Sequence, residues 1–380
     1  MKIGIDLLWV RPGICGGTES VIRNLLDGLT RYDNKNEYVL FAARDNADSF
    51  SKYAEQGKMS ILRCPVDSAN RVKRILWENL YLDKTARHCK VDVMFIPVYS
   101  MPFTFGSRIP YISVIHDLQA LHYPQYFSLL RRQFLRYEWR HTCKAAKKIV
   151  TISDYCKEDL IAHYPCAEDK VETIYNPVIS EASRLDVSCV SKYGVNPGEY
   201  FYCVSSMLPH KNLETLLKAA AKWQKDIKLI LSGVGGNVAE VKGYLEKYNI
   251  EDKVVLTGFV SNEERDCLYE NCRLFLFPSV FEGFGMPPIE ALRKGKGVVM
   301  TDKTCLKEVT EGKAVYVEDP YDAEEWVRKI EYAQTRNVEP VKFLKYELEN
   351  VTNQYIKLFE NTGVLADSKG EKRLSHGDRE

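Results

Sequence analysis

Short apolar runs recur along the chain with helical stretches between them, the pattern of strands buried on both faces of a parallel sheet. In the first half they fall at 1–6, 38–42, 91–96, 111–115 and 148–152, and in the second at 200–204, 227–231, 254–257, 274–277, 298–300 and 314–317. Two such series predict an α/β chain of two Rossmann-like domains. Between them, 179–198 has weak periodicity and ends in the turn signal Asn196-Pro197-Gly198. The pattern therefore predicts a first domain over 1–178, a linker over 179–198 and a second domain over 199–345. A last helix is expected over 346–362, packing back toward the first domain, and the polar, aperiodic 363–380 reads as a disordered tail. Ser261 followed by Glu264 has the form of a capping box opening one helix of the second domain.

With 380 residues and 45% apolar content, the chain has material for two ordinary cores. Lys and Arg number 53 against 52 Asp and Glu, so the basic excess of a dedicated nucleic-acid binder is missing. The eleven cysteines are scattered and form no C-x-x-C pair, which argues against a disulfide framework and a zinc site. They read as reduced cytosolic thiols, with Cys267 and Cys272 as core residues. Asp6 interrupts the first apolar run, which reads as a strand and not as a secretory signal. No uncharged apolar stretch approaches the roughly 18 residues that span a bilayer. The expectation is a cytoplasmic protein whose membrane association, where it occurs, is peripheral at the inner face of the plasma membrane.

The candidate chemistry begins at 278–290. Pro278 stops an apolar strand, Pro287-Pro288 suits a first helical turn, and Gly283 and Gly285 lie between them. Glu282 and Glu290, with seven residues between them, bracket this turn. Amides at the start of a helix can meet an anion, and acceptor-only carboxylates suit sugar hydroxyls, so the stretch reads as a site for a sugar joined to a nucleotide. The plainer reading is a solvated loop Glu and a second Glu favoured by the helix dipole. Gly16-Gly17 would let backbone amides approach a diphosphate, and Lys211 would add a cation beside a helix starting near Asn212. Each of these alone is equally an ordinary turn or a surface lysine. His116 follows the run at 111–115 and is expected at the C-terminal edge of that strand.

Taken together, these segments resemble one family. Glu282 through Glu290 is similar to the Glu-x7-Glu motif of the retaining nucleotide-sugar glycosyltransferases of family 4, or glycosyl transferases group 1, which have the GT-B fold: two Rossmann-like parallel-sheet domains with an interdomain cleft. Gly16-Gly17-Thr18-Glu19 resembles the family's N-terminal Gly-Gly loop, and His116-Asp117-Leu118 its His-Asp motif. Pro209-His210-Lys211-Asn212-Leu213 resembles its Pro-Arg-Lys-Asn-Leu segment, and the likeness runs in family order over about 1–360. It implies an acceptor-binding first domain and a nucleotide-sugar-binding second one. It also implies a catalytic role for His116, Lys211 and Glu282, and donor contacts from Gly16, Gly17, Ser206, His210, Val260, Gly283, Phe284, Gly285, Met286 and Glu290. In that scheme Glu290 takes the ribose hydroxyls and Glu282 the donor sugar.

The implied activity is retaining transfer of a hexosyl unit to a glycan or lipid-linked acceptor in bacterial cell-surface polysaccharide synthesis. Mannose or rhamnose is slightly favoured, with glucose and N-acetylglucosamine also fitting. No cofactor and no metal is expected. The favoured mechanism is front-face transfer, in which a diphosphate oxygen takes the acceptor's proton; Glu282 as a covalent nucleophile is the other route. A nucleotide-sugar epimerase or hydrolase of the same fold, or a catalytically silent binding protein, stays open as an alternative.

Three features qualify this. His210 stands where relatives usually carry Arg, which implies a charge titrating near neutrality, and Ser205 stands in place of a Gly. Gly233-Val234-Gly235-Gly236 lacks the full dinucleotide spacing and reads, with Gly258-Phe259-Val260, as an edge of the nucleotide pocket. Finally, Arg132, Arg136, Arg140, Lys144 and Lys148 recur every four residues on a predicted helix, with Phe134, Leu135 and Trp139 between them. They form either a solvated face or, with Arg71, Lys73 and Arg74 beside Leu76 and Trp77, a surface for an anionic membrane.

Overall fold

The computed structural model describes residues 1–14, 16–55, 57–103, 107–179, 188–223 and 226–374 of the chain. Part of the predicted linker, 180–187, and the last six residues of the predicted tail lie outside the described residues. The chain divides into two compact units, Met1–Pro177 with Lys345–Glu380, and Val178–Leu344.

The first unit is built on a seven-stranded sheet of β1 (Lys2–Asp6), β2 (Glu37–Ala43), β3 (Met59–Cys64), β4 (Val93–Ile96), β5 (Tyr111–Ile115), β6 (Lys148–Thr151) and β7 (Val171–Thr173). All pairs are parallel and the order is β3-β2-β1-β4-β5-β6-β7. β3 and β7 are the two strands that the hydrophobic pattern does not predict. Both are edge strands: β3 carries exposed Ser60 and Arg63, and β7 is only three residues long, so neither shows a continuous apolar run.

Around this sheet lie α1 (Gly17–Tyr32), α2 (Arg71–Trp77), α3 (Gln119–His122), α4 (Leu129–Ala145) and α5 (Asp154–His163). In α1, Ile22, Leu25, Leu26 and Leu29 recur at helical spacing and are buried. The C-terminal helix Leu348–Leu374 packs on α1 and β4. A Cβ on Gly28 would run into Thr352, so the close approach of that helix to α1 requires glycine. The helix continues to Leu374, through much of the stretch expected to be disordered. Propagation from an anchored helix avoids the cost of nucleation, so a polar sequence can follow on. α4 ends at Ala145, so Arg132, Arg136, Arg140 and Lys144 share the helix but Lys148 opens β6 instead.

The second unit has a six-stranded parallel sheet of β8 (Tyr200–Val204), β9 (Lys228–Ser232), β10 (Val254–Gly258), β11 (Leu274–Phe277), β12 (Gly297–Thr301) and β13 (Val315–Val317), in the order β10-β9-β8-β11-β12-β13. The helices that matter for the site are α6 (Leu213–Ala220), α7 (Asn262–Asn271) and α8 (Met286–Arg293). Ser261 caps α7, its Oγ accepting from Glu264 N at 3.1 Å. One expectation about the thiols is corrected: Cys189 and Cys267 are joined in a disulfide across 78 residues of sequence. The helical turn Ser188–Ser191 packs against α7, a neighbourhood that spacing along the chain does not reveal. Cys272 is a buried free thiol, its pKa pushed up to about 12 by desolvation.

Candidate active site

In each sheet the strand order reverses once, between β1 and β4 and between β8 and β11, and loops leaving such neighbouring strands diverge and leave a crevice. In the second unit the loop after β8 carries His210 and Lys211, and the loop after β11 carries Glu282 through Gly285. The main chain ties them together, since Val280 N donates to His210 O at 2.8 Å and Ser279 Oγ to the same oxygen at 3.2 Å. Lys211 Nζ then meets Glu282 Oε1 at 2.6 Å, a charge-assisted bond between largely buried side chains.

Glu282 is also held from behind. Its amide donates to Thr304 Oγ1 at 3.2 Å, and Cys305 Sγ donates to the carbonyls of Glu282 and Phe284 at 3.2 and 3.3 Å. Gly285 starts α8 in the left-handed region at φ 85°, where a Cβ would stand 2.7 Å from Leu306 Cδ2. Glycine is required there on both counts. No side chain caps α8, and because Pro287 and Pro288 carry no N–H, Met286 alone among its first three residues has an amide to offer.

Glu290 lies one turn further along α8 and is buried, which pushes its carboxyl above the usual range; the Arg265 guanidinium, 3.8 Å away, opposes the shift. Arg265 Nε and the Tyr269 hydroxyl, both from α7, are buried beside it, and a bond from that hydroxyl to the carboxylate also opposes the shift. A carboxylate, a guanidinium and a phenol grouped in this way make a polar set able to take up vicinal hydroxyls. Arg265 and Tyr269 are absent from the sequence reading. Their only signal is a place on the helix that leads into β11.

His210 corrects an expectation. Burial and the neighbouring Lys211 push its imidazole down to about 4, so it is neutral near pH 7 and supplies no titrating charge there. Ser206 is half-buried after β8, with its carbonyl accepting from Ser205 Oγ at 3.3 Å. Gly283 is buried, Met286 half-buried, and the Phe284 ring lies in the core, leaving the backbone as what that residue can offer a ligand. The loops after β9 and β10 meet where Gly233 N donates to Gly258 O at 2.9 Å; Val260 follows in the second of them, after the exposed Phe259.

In the first unit, Gly16 is the N-cap of α1 at φ 59°, and Glu19 anchors the turn by accepting from Gly13 N at 3.0 Å and Arg23 Nε at 2.8 Å. Gly16 and Gly17 are exposed. His116 follows β5, as expected. Its Nε2 lies 2.9 Å from Pro97 O; a carbonyl only accepts, so Nε2 carries the proton and Nδ1 the lone pair. Burial holds the imidazole below its usual range, against the pull of the Pro97 bond and of Asp117. Asp117 orients the following turn by accepting from Gln119 N at 2.9 Å. Thr18 of α1, His116 and Asn176 line one small cavity, into which the buried Asn176 Oδ1 brings an unpaired acceptor.

Residues 15–181 match the family described as Glycosyltransferase Family 4, and residues 192–348 the family described as Glycosyl transferases group 1. The chain belongs to these glycosyltransferases. It is 28% identical to the O-antigen chain mannosyltransferase RfbU of Salmonella typhimurium over 56% of this chain and 57% of the relative. It is likewise 28% identical to O-antigen chain mannosyltransferase B of Escherichia coli, over 65% of this chain and 69% of the relative. The matched part thus spans between about half and two thirds of these relatives' lengths. Among solved structures, Anabaena HepE in complex with UDP-glucose superposes with a TM-score of 0.68 at 20% identity, covering 99% of both chains. That likeness is one of fold, and the fold is GT-B.

Proposed function

We propose that this glycosyltransferase moves a hexosyl unit from a nucleoside-diphosphate sugar, with retention at the anomeric carbon, to a glycan or lipid-linked acceptor of a cell-surface polysaccharide. The observation that carries the reading is the Lys211–Glu282 pair, set at the uncapped start of α8 one turn from the Glu290, Arg265 and Tyr269 cluster. Lys211 and the Met286 amide at the start of α8 offer positive charge to a leaving diphosphate, Glu282 accepts from donor-sugar hydroxyls, and Glu290 takes the ribose. With those charges in place the transfer is proposed to need no metal and no cofactor. The acceptor's proton passes to a diphosphate oxygen as the glycosidic bond breaks on the same face.

The relatives named as O-antigen mannosyltransferases favour mannose as the sugar, ahead of rhamnose, glucose and N-acetylglucosamine. A cytoplasmic protein resting on the inner face of the plasma membrane is part of the same proposal. Among the described residues no helix is long and apolar enough to cross a membrane.

The test is incubation with a panel of nucleotide sugars, with and without a lipid-linked acceptor, reading released nucleotide and the anomeric configuration of the product. Acceptor-dependent release with retention is expected, and Lys211→Ala and Glu290→Ala should each lower kcat/KM by about 100-fold with the fold intact. Acceptor-free release would mean hydrolysis or epimerisation, and binding without turnover a silent protein. Wild-type rates in both variants would remove the site assignment.

A further inference from the structure

Six residues beyond His116, the end of α3 meets the outer face of α5 through three side chains that the transfer chemistry does not use. Asp159 and His163 stand four residues apart on α5 and so share one face of it, and His122 closes α3 against them. The Asp159 side chain is 10% exposed, and both of its oxygens lie 2.9 Å from His122 Nε2. Oδ1 is also 3.2 Å from His163 Nδ1. The two imidazoles stand edge to face, 5.6 Å between centroids, and one ligand atom from each of the three residues falls within 4.8 Å of the others.

We propose that His122, Asp159 and His163 form a site for a borderline divalent cation of the Zn²⁺ class. Two imidazoles and a carboxylate are the donor set such ions prefer, and three protein ligands leave one position for water. Ligand atoms about 2.0–2.1 Å from a tetrahedral ion lie roughly 3.3 Å apart, close to the separations found around Asp159. His163 Nδ1 donates to the main-chain carbonyl of Asp159 at 2.9 Å. On binding, Nδ1, 3.2 Å from Asp159 Oδ1, gives up this bond and turns its lone pair to the cation, the proton moving to Nε2. At His122 the cation takes the place of the Nε2 proton, which moves to Nδ1.

The role is structural. The same α5 holds the catalytic-side loop at a second point, where Cys156 Sγ donates to His116 O at 3.2 Å. A cation shared between α3 and α5 therefore fastens both ends of the segment from His116 to His122, outside the donor site and independent of the proposed reaction.

The experiment uses the full chain, stripped with EDTA and titrated with Zn²⁺ by calorimetry and with Co²⁺ by visible absorption. One ion per chain is expected, with Co²⁺ bands of nitrogen and oxygen ligation and a Zn²⁺-dependent rise in Tm. His163→Ala, Asp159→Asn and the near-isosteric His122→Gln should each weaken binding at least about tenfold and abolish the Tm rise, while His88→Ala, outside the cluster, should not. Circular dichroism of the metal-free variants checks that each is folded. The proposal is overturned if the wild type takes up no stoichiometric ion, if the three variants bind as the wild type does, or if Co²⁺ shows thiolate charge-transfer bands, which would move the ion to the cysteines.

Discussion

At His210 a position expected to carry a guanidinium holds an imidazole whose charge has been removed. Burial comes first and Lys211 second, and together they bring the pKa to about 4, so protonation is complete only below that value and absent from pH 6 upward. The cation offered to the diphosphate is therefore Lys211, itself paired with Glu282 at 2.6 Å. Two outcomes follow for donor KM measured between pH 5.5 and 8. The wild type and His210→Gln should give profiles of the same shape, and His210→Arg should lower KM by about tenfold, within the worth of one charged hydrogen bond. A wild-type KM that climbs across that range while His210→Gln stays flat would restore the titrating role.

Among elements, α4 shows how one helix can serve two environments. Its outer stripe of Arg132, Arg136, Arg140 and Lys144 runs beside exposed Leu129 and Leu130, while Leu135, Glu138 and Trp139 face inward. On α2, Arg74 also turns inward, to a 2.7 Å bond with buried Glu78, so it is lost to any surface, whereas Val72 and Leu76 are exposed. If the stripe meets anionic lipid, Arg136→Glu with Arg140→Glu should reduce co-sedimentation with phosphatidylglycerol vesicles, at about 1 kcal/mol for each basic residue lost. Equal sedimentation would leave a solvated face.

The inward side of α4 has its own pH signature. Burial raises the Glu138 carboxyl from 4.5 to about 7 against the charge of Arg71, and it raises Asp6 and Glu78 in the same direction. Between 4.5 and 7 the folded chain keeps a proton that the unfolded chain has released, so this contribution to stability is complete below 4.5 and is lost as pH rises through 7. Glu138→Gln should shrink the difference in urea midpoint between pH 5 and pH 8, leaving the part due to Asp6 and Glu78. An unchanged difference would place the dependence elsewhere. Glu138 escaped the sequence reading because a Glu on a basic helix looks like solvated surface. The central strands were legible because burial on both faces leaves unbroken apolar runs, and the edge strands β3 and β7 were not, for want of it.

At the scale of the molecule, the chain leaves its first unit at Pro177, builds the second from Val178 to Leu344, and returns. The motifs were readable because loops that follow strands keep their glycines and charges contiguous: Glu282 through Glu290 is one loop and one helix. Partners brought by other segments were not, as with Arg265 and Tyr269 on α7 and Asn176 after β7, since only folding sets them beside the motif residues. For the returning helix, the sequence reading expected an element packing back toward the first domain but not the side chains that anchor it there. Phe359 is fully buried, with its ring 5.3 Å from Phe95 of β4 and 6.0 Å from Tyr355. Removing that ring takes apolar surface from the core of the first unit and leaves a cavity beside a central strand. Phe359→Ala should therefore cost about 3–5 kcal/mol, read as a lower unfolding midpoint in urea. Because Phe359 belongs to the first unit and the donor-side loops to the second, nucleotide binding by the folded variant should match wild type. A loss below about 1 kcal/mol would mean that the terminal helix is dispensable to the sheet it covers.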